Sequence, residues 1–474
     1  MSYSEIYSLR TKHSISQIKL AEFSGFSPST ISSWELLKSQ PTSDQLNILE
    51  NTISSILHKK ETQGIDVRKK RYRKSGKVKG EQPTQIISAD DYRERMKIVK
   101  YHQTPYVKIL NEIKDKKFSD KNKPRTLALF SGCGGMSLGF SWAGFDLIGH
   151  IDFDDSANSI YKANFNSSIL FGKDITQITD DEILDIQNRY GKFDAIVGGP
   201  PCQGFSLAGK RNPNDERNEL FQHYARIVSI LRPRILVMEN VRLMTSMKDS
   251  NGDFIIDRIV EEFQNLGYII SMQVINAQDF GVPQFRERVF IVGINSNYNN
   301  NRFSFPEPSF SSDNQISLLN HSTLPLITFR NAVEDLAPLE SGKKSSDPLH
   351  WTISHPQHVM EWLKCVPEGR SAHENENPEM RPPSGFNTTY KRLMWDEPCS
   401  TISTNFNMIS GCRNVHPIST RSLTIREAAR AQSFPDSFCF FGRWSDIRRA
   451  IGNAVPPLLA YCIAKSLRTQ VLDR

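Results

Sequence analysis

One cysteine follows an apolar run at a point where its thiol could react. The segment IVGGPPCQGFS (196–206) passes from strand-like residues to two glycines and two prolines, and then presents Cys202. Glycine and proline cannot continue a central strand, so this thiol is expected on a rigid loop at the end of a strand. The seven cysteines of the chain form no CxxC motif and no Cys/His pair at zinc spacing. We therefore predict reduced thiols, and Cys202 as a reactive one.

Acidic side chains stand at the ends of other predicted strands. RTLALF (125–130) leads into a glycine-rich turn that opens a helix, and the next apolar run, DLIGHIDFD, ends in acids. Asp152 lies twenty residues after Gly132, the spacing at which doubly wound folds place a ribose-binding carboxylate. RILVMENV (234–241) carries Glu239 near its end. The pattern predicts a doubly wound α/β domain, with its ligand site at the carboxyl ends of the strands.

These segments belong to an ordered set of motifs. Later members are QFRER (284–288), RSLTIREAARAQSFPDSF (421–438) and IGNAVPP (451–457). With them the chain closely resembles the DNA cytosine-5 methyltransferases from about residue 124 to 465. The resemblance implies a doubly wound methyltransferase fold with an inserted target-recognition domain. It also implies S-adenosyl-L-methionine as the cofactor and C5 of cytosine in duplex DNA as the methyl acceptor.

The resemblance implies a catalytic set whose residue types suit this reaction. Addition of the Cys202 thiolate to C6 of cytosine would make C5 nucleophilic, and Glu239 would donate to N3 if burial raises its pKa. By resemblance, Arg288 contacts the cytosine carbonyl, Arg286 supports the site and Asn240 positions the Pro-Cys loop. A paired cytosine can be reached only by base flipping.

The resemblance also implies which residues bind the cofactor. Phe130 offers an aromatic face to the adenine, and the glycine turn after it allows close approach to the backbone. Asp152 would accept from the ribose hydroxyls, directly or through water, because the family more often has the longer glutamate there. The predicted set is Phe130, Gly132, Gly134, Asp152, Asp174, Leu220, Asn453 and Ala454, and no metal is expected.

The first 60 residues predict a small all-α domain. LAEFSGFSPSTISSWE contains two short helical patterns joined by a turn at Gly25, which is typical of a helix-turn-helix and resembles the phage-repressor type. Ile31 and Trp34 are expected to face its core, and the second helix is expected to enter the major groove. The candidate base contacts are Ser29, Thr30, Ser32 and Ser33. A helical interaction domain without DNA binding is the alternative.

The net charge of +7 is concentrated in one run. RKKRYRKSGKVK (68–79) holds eight basic residues and no acidic residue, which leaves the rest of the chain at −1. The run is either a solvated linker or a tether that follows DNA phosphates, with Lys69, Lys70 and Arg71 as candidate contacts.

The composition along the chain predicts its domain order. A segment rich in polar residues, glycine and proline interrupts the α/β pattern. Its basic and aromatic residues suited to DNA are Lys343, Lys344, Arg381, Tyr390, Lys391 and Arg392. The expected parts are a helix-turn-helix domain at 1–60, a basic linker at 61–120, the first catalytic part at 121–293, a target-recognition region at 294–420 and the C-terminal catalytic part at 421–474.

Two other functions stay open at this stage: a tRNA cytosine-5 methyltransferase, and a transcriptional regulator with a vestigial enzyme domain. Amino-directed methyltransferases are disfavoured, since Gln203 and Gly204 follow the PPC motif. A helix-turn-helix fused to a cytosine methyltransferase resembles modification enzymes that repress their own transcription. We expect restriction–modification host protection, with a companion endonuclease and an operator-bound dimer as candidate partners. Neither a secretory signal nor a membrane span is found, so a cytoplasmic location in a bacterial or phage-infected cell is expected.

Overall fold

The computed structural model describes most of the chain as two compact units, residues 1–79 and 80–474. Within the described part, no helix combines the length and apolar character needed to cross a membrane. The described residues are 3–13, 15, 17–26, 28–35, 39–63, 87–116, 123–201, 220–249, 252–298, 301–312, 323–383 and 386–473.

The first unit is a small bundle of helices. Ile31 and Trp34 are buried in its apolar core, as the sequence predicts, and Leu20 and Ile53 pack with them. Gly25 has a φ of +76°, a backbone conformation that glycine adopts without strain, and it directly follows the second helix. The described helices are α1 (Tyr3–Lys12), α2 (Gln17–Ser24), α3 (Pro28–Glu35) and α4 (Ser43–Gln63).

The second unit is built on a seven-stranded sheet with the order β3-β2-β1-β4-β5-β7-β6. Strands β1 to β5 pair in parallel, and β7 runs antiparallel between β5 and β6. The doubly wound fold is therefore confirmed. The strands are β1 (Arg125–Leu129), β2 (Asp146–Ile151), β3 (Ile169–Gly172), β4 (Ala195–Gly198), β5 (Ile235–Val241), β6 (Tyr268–Asn276) and β7 (Glu287–Asn295), and a separate pair is β8 (Phe310–Ser311) with β9 (Leu324–Pro325).

Helices cover both faces of this sheet. Side chains alternate along each strand, so that Val197 and Val237 enter one apolar cluster while Ile196 and Leu236 enter another. The helices of this unit are α5 (Ala89–Ile98), α6 (Pro105–Asp115), α7 (Gly135–Trp142), α8 (Asp155–Asn164), α9 (Asp180–Tyr190), α10 (Leu220–Leu231), α11 (Ile255–Asn265), α12 (Phe329–Val333), α13 (Gln357–Lys364), α14 (Ile425–Ala431), α15 (Trp444–Asn453) and α16 (Pro457–Leu467).

Part of the segment assigned to the basic linker is folded, which corrects the assignment of 61–120. Helices α5 and α6 lie within it, each with a side-chain N-cap, from Ser88 and Thr104. Tyr106 and Leu110 on α6 are buried in the larger apolar cluster of the second unit. The charged run at 68–79 is typical of a linker, whereas the amphipathic pattern of α6 begins after it, and residues 64–86 lie outside the described part.

A chain that starts at residue 85 is therefore expected to fold, whereas one that starts at residue 121 is not. The shorter chain loses Tyr92, Tyr106 and Leu110, and each fully buried large apolar side chain contributes about 1.5–3 kcal/mol. Thermal melts and solubility of the two truncated chains provide the measurement. Equal stability of both would show that α5 and α6 are not part of the catalytic fold.

Described residues of the proposed target-recognition region, 294–420, share the apolar core of the sheet. Phe329 and Ile402 are buried in the larger apolar cluster, and Asn295 still belongs to β7. A small separate cluster is formed by residues around α13, namely Val359, Leu363, Val366, Ala372, Ile409 and Val415. The boundary at 294 therefore divides a strand, because the apolar pattern of β7 continues past it.

Where this region meets α14, buried and half-buried histidines lie around a buried ion pair. Arg421 and Glu427 are paired at 2.8 Å, and the Nε2 atom of His355 accepts a hydrogen bond from Ser422 N at 3.0 Å. Burial, together with Arg421, lowers the pKa of His355 from its usual 6.5 to about 4, and burial lowers that of His416 to about 3. At neutral pH these imidazoles are neutral acceptors inside the protein.

Acid is expected to destabilise the protein through these histidines. A group whose pKa is lowered by folding binds its proton more readily when unfolded, so stability falls as pH drops below about 6.5 and continues to fall to about 4. Each such histidine contributes a slope of about 1.4 kcal/mol per pH unit. In thermal melts, His355→Gln should therefore show a shallower loss of stability between pH 6.5 and 4.5 than wild type. An identical pH dependence would contradict this.

Candidate active site

A cleft of about 680 Å³ opens at the carboxyl ends of β1, β4 and β5. These strands are neighbours and run in parallel, so the loops that follow them meet at one edge of the sheet. The junction of α15 and α16 forms another wall. Predicted site residues on this cleft are Phe130, Gly132, Asp152, Glu239, Asn240, Arg286, Arg288, Asn453 and Ala454.

Glycines shape the turn between β1 and α7. Gly132 has a φ of +54° and Gly134 one of +96°, conformations that side chains rarely permit. A Cβ atom on Gly134 would lie 2.4 Å from the ring of Phe165. Gly134 also caps α7, whose first backbone N–H groups have no partner within the helix. The turn can therefore bring backbone donors close to a bound molecule.

Asp152, at the end of β2, is held by the same turn. Its carboxylate accepts hydrogen bonds from Gly132 N at 2.7 Å and from Asp154 N at 2.8 Å. Burial raises the pKa of Asp152, although these two hydrogen bonds oppose the shift. Each carboxylate oxygen keeps a further lone pair for a ligand hydroxyl.

Glu239 and Arg288 form an ion pair at the cleft. In the antiparallel pairing of β5 and β7, Arg288 lies diagonally across from Glu239, and its Nε is 2.9 Å from Glu239 Oε1. Glu239 is 9% exposed. Burial raises its pKa more than the neighbouring Arg288 and Arg286 lower it. A carboxyl group in this environment is suited to carry a proton.

Arg286 also lines the cleft and binds two other backbone segments. Its guanidinium donates to the carbonyl oxygens of Ile402 at 3.1 Å, Gly452 at 3.1 Å and Ala454 at 3.0 Å. The side chain is 1% exposed, and burial holds its pKa well below the usual range. These contacts make Arg286 a support that joins the proposed target-recognition region to the wall of the cleft.

The loop that leads to the predicted nucleophile is anchored by Asn240. The Asn240 side chain donates to Pro200 O at 2.8 Å and accepts from Val241 N at 2.9 Å. Pro200 and Pro201 line the cleft. Cys202 itself lies outside the described residues, so its prediction rests on the sequence.

Other predicted residues are placed away from the cleft or only in part. Asp174 accepts from Thr176 N at 3.0 Å and does not line the cleft, and neither does Leu220 at the start of α10. On α3, Thr30 and Ser33 are half-buried, and the Ser33 hydroxyl lies 2.9 Å from that of Ser39. The side chains of Ser29 and Ser32, and the residues Lys69, Lys70 and Arg71, are outside the described part.

Two cleft residues were missed by the sequence analysis. Phe153 lines the cleft and is 76% exposed, although it is a large aromatic residue. Its position directly after Asp152, at a predicted strand end, was the available signal. Arg449 lines the opposite wall and pairs with Asp154 at 2.7 Å, a contact between distant parts of the chain that no local pattern indicates. Among the described residues, no cluster of His, Cys, Asp or Glu could hold a metal ion.

Comparisons with known proteins identify relatives of both units. Residues 124–469 match the model for C-5 cytosine-specific DNA methylases, and residues 6–53 match a helix-turn-helix model. The Type II methyltransferase M1.HphI of Haemophilus parahaemolyticus is 36% identical, over 72% of this chain and 85% of its own. M.DdeI of Desulfomicrobium norvegicum is 34% identical, over 72% of this chain and 87% of its own length. The fold matches a prophage-encoded E. coli chain assigned as a DNA modification methyltransferase, with a TM-score of 0.56 and 24% identity. The match covers 74% of this chain and 100% of the E. coli chain.

Proposed function

This chain belongs to the C-5 cytosine-specific DNA methylase family, and from that premise we propose that it methylates cytosine in duplex DNA with S-adenosyl-L-methionine as the donor. The observation that carries the proposal is the pair of buried Glu239 and largely buried Arg288 on a cleft that Pro200 and Pro201 also line. Glu239 provides a proton donor and Arg288 a fixed cation at the place where a flipped cytosine would enter.

The cleft fits the proposed cofactor in size and chemistry. Its volume of about 680 Å³ lies within the range of about 300–1,000 Å³ that is usual for cofactor sites. The glycine turn allows close contact of the amino-acid part, Asp152 can accept from ribose hydroxyls, and Phe130 and Phe153 offer aromatic faces to the adenine. When bound, S-adenosyl-L-methionine supplies an electrophilic methyl group. Asp174 and Leu220 remain proposed contacts that the cleft does not include.

In the proposed mechanism the chain's own residues activate the base. The Cys202 thiolate adds to C6, a C–S bond forms, and Glu239 delivers its proton to N3, so C5 becomes nucleophilic. Arg288 donates to the cytosine carbonyl oxygen and holds the ring against Glu239. After C5 is methylated, a base removes the C5 proton, the C–S bond breaks, and the N3 proton returns to the Glu239 carboxylate.

Methylation assays on duplex DNA and on tRNA test this proposal directly. We expect labelled methyl groups to enter duplex DNA, and bisulfite sequencing of DNA from expressing cells to show one methylated sequence context. A tRNA cytosine-5 methyltransferase remains the second candidate, because the same cleft could accept a cytosine from either nucleic acid. Methylation of tRNA without methylation of duplex DNA would overturn the proposed substrate.

The N-terminal unit supports a second, regulatory part of the proposal. A helix-turn-helix with a packed core is the usual DNA-binding domain of a repressor. Such domains bind paired half-sites on DNA as dimers. We propose that it binds an operator in the chain's own promoter, in the cytoplasm of a bacterial or phage-infected cell. The methylation would protect host DNA from a companion endonuclease.

Removal of residues 1–84 is expected to separate these two activities. The truncated chain should methylate the same target sequence, because the cleft and the proposed recognition region are retained. It should lose operator binding, and its general DNA affinity should depend less steeply on salt, because the eight charges of 68–79 are gone. Gel-shift titrations on promoter and target DNA provide the measurement. Equal operator binding by both chains would show that the N-terminal unit is not the reader.

A further inference from the structure

An ion pair joins two walls of the cleft close to Asp152. Asp154 follows β2, and Arg449 belongs to α15, 295 positions later in the chain. The Arg449 guanidinium donates to Asp154 Oδ2 from Nη2 at 2.7 Å and from Nε at 3.1 Å. Both side chains line the cleft and are only partly exposed, 45% for Arg449 and 35% for Asp154. The pair therefore ties the loop after β2 to the helix of the opposite wall.

Asp154 divides its carboxylate between this pair and a helix cap. Its Oδ1 atom accepts from Ser156 N at 2.9 Å and from Ala157 N at 3.2 Å, which caps α8. Burial alone would raise the pKa of Asp154, but the backbone donor of Ala157 and the Arg449 side chain hold it below its usual value. Asp154 is therefore a carboxylate at neutral pH, and the ion pair persists there.

The backbone of Asp154 orients the proposed ribose contact. Asp154 N donates to Asp152 Oδ1 at 2.8 Å, and Gly132 N donates to Asp152 Oδ2 at 2.7 Å. A displacement of Asp154 would therefore change the direction of the Asp152 carboxylate. Phe153, whose exposed ring also lines the cleft, lies between the two aspartates. Arg449 thus acts on a segment, 152–154, in which each residue lines the cleft.

The helix that carries Arg449 is held by contacts that do not involve Asp154. Cys133 Sγ in the glycine turn donates to Ala450 O at 3.5 Å. At the end of α15, Arg286 donates to Gly452 O at 3.1 Å and to Ala454 O at 3.0 Å. The Arg449 guanidinium, about one turn before that end, is therefore a fixed point to which the loop after β2 is tied.

The charged groups of the cleft fall into two sets. Glu239 has Arg288 and Arg286 as its cationic neighbours. Among the other cleft residues that the structure describes, the carboxylates are Asp152 and Asp154, and the cation is Arg449. The Nη2 atom of Arg449 also lies 3.2 Å from Asp446 Oδ1 on its own helix. The guanidinium is thus already engaged by protein carboxylates, which favours a role in holding the walls over a direct contact with a ligand.

We propose that the ion pair of Asp154 and Arg449 is a clasp that holds the two walls of the cleft around the cofactor. Arg449 is then a positioning residue for Asp152 and Phe153. The inference rests on the proposed function, since it requires that S-adenosyl-L-methionine binds in this cleft. It assigns part of the cofactor affinity to a contact between protein side chains, rather than to a group that touches the cofactor.

The test measures cofactor binding to full-length chains by calorimetry. The variants are Arg449→Gln, Asp154→Asn and the double variant; asparagine caps a helix as well as aspartate, so Asp154→Asn keeps the cap of α8. Each single variant should weaken binding of S-adenosyl-L-methionine by about 2–5-fold, the usual range for a partly exposed ion pair. The double variant should bind no more weakly than either single one, because both act through one pair. In assays, KM for the cofactor should rise by a larger factor than the rate at saturating cofactor falls.

The sign of the two single effects separates a clasp from direct action of the charges on the ligand. S-adenosyl-L-methionine carries a sulfonium, an ammonium and a carboxylate, and is a net cation, whereas S-adenosyl-L-homocysteine lacks the sulfonium and is neutral overall. If the charges acted on the ligand directly, loss of Arg449 would tighten binding of the cation and loss of Asp154 would weaken it. A clasp requires that both substitutions weaken both ligands by similar factors.

The matched control is Asp446→Asn. Asp446 contacts the same guanidinium but does not line the cleft, so its replacement should leave cofactor affinity at the wild-type value. A loss as large as that in Asp154→Asn would indicate a general effect of charge on α15 and overturn the clasp.

Unchanged affinity in both single variants would overturn the inference, and so would effects of opposite sign or additive effects in the double variant. A lower melting temperature with unchanged affinity would reduce the pair to a stabilising role and overturn its action on the cofactor. A wild-type chain that binds no S-adenosyl-L-methionine overturns the proposed function as well, whereas wild-type binding with unaffected variants overturns this inference alone.

Discussion

Replacement of Cys202 by serine is expected to abolish methyl transfer. Serine has nearly the same size, but its hydroxyl is far less acidic than a thiol and cannot supply the soft anion that adds to C6. Affinity for S-adenosyl-L-methionine should stay near wild type, because the proposed cofactor contacts Phe130, Gly132 and Asp152 follow other strands of the sheet. Methyl transfer from radiolabelled cofactor, and cofactor binding by calorimetry, measure the two effects separately.

The control for this substitution is Cys365→Ser. Cys365 is exposed at the end of α13, and its replacement should leave activity intact. A second readout is the adduct with duplex DNA that contains 5-fluorocytosine. Fluorine at C5 prevents the final elimination, so wild type should remain bound to DNA on a denaturing gel and Cys202→Ser should not. An active wild-type enzyme that forms no adduct would remove Cys202 from the mechanism.

The sequence alone was sufficient where local pattern determines structure. Apolar runs that end in glycine or acids indicated β1, β2, β4 and β5, and their parallel order brings Gly132, Asp152 and Glu239 to one edge. The family resemblance added the prediction that Arg288 belongs to the same site. These features depend on short segments whose spacing is visible in one chain.

Other features depend on contacts between distant residues, which no local pattern contains. Tyr92 and Tyr101 look like ordinary residues of a charged linker. Only the packing against α14 shows that Tyr92 is a buried partner of Arg426 and that Tyr101 is a partly buried donor to Asp347. From the sequence, Arg286 looks like a second arginine of the same site. Its hydrogen bonds to the carbonyl oxygens of Ile402, Gly452 and Ala454 show that it links distant segments of the chain. Burial was the missing information in each case.

Glu239→Gln is expected to lower the single-turnover rate of methylation by about 10²–10⁴, the usual contribution of a positioned acid. Glutamine keeps a donor that can face N3, but it has no proton to transfer. DNA binding should therefore fall much less than the rate. Glu287→Gln is the matched control, since Glu287 lies on the neighbouring strand, pairs with Arg242 at 2.7 Å and is not part of the cleft.

The pH dependence of the same variant makes the role of the proton visible. Burial raises the pKa of Glu239, so the carboxyl stays protonated to a higher pH than an exposed glutamate, and the rate should fall as pH rises through that pKa. The thiolate requirement acts in the opposite direction and lowers the rate in acid. Wild type should therefore give a bell-shaped profile of single-turnover rate, and Glu239→Gln should lose its alkaline limb while keeping the acid limb. If the variant kept the wild-type rate, or kept the alkaline limb, Glu239 would not be the group that protonates N3.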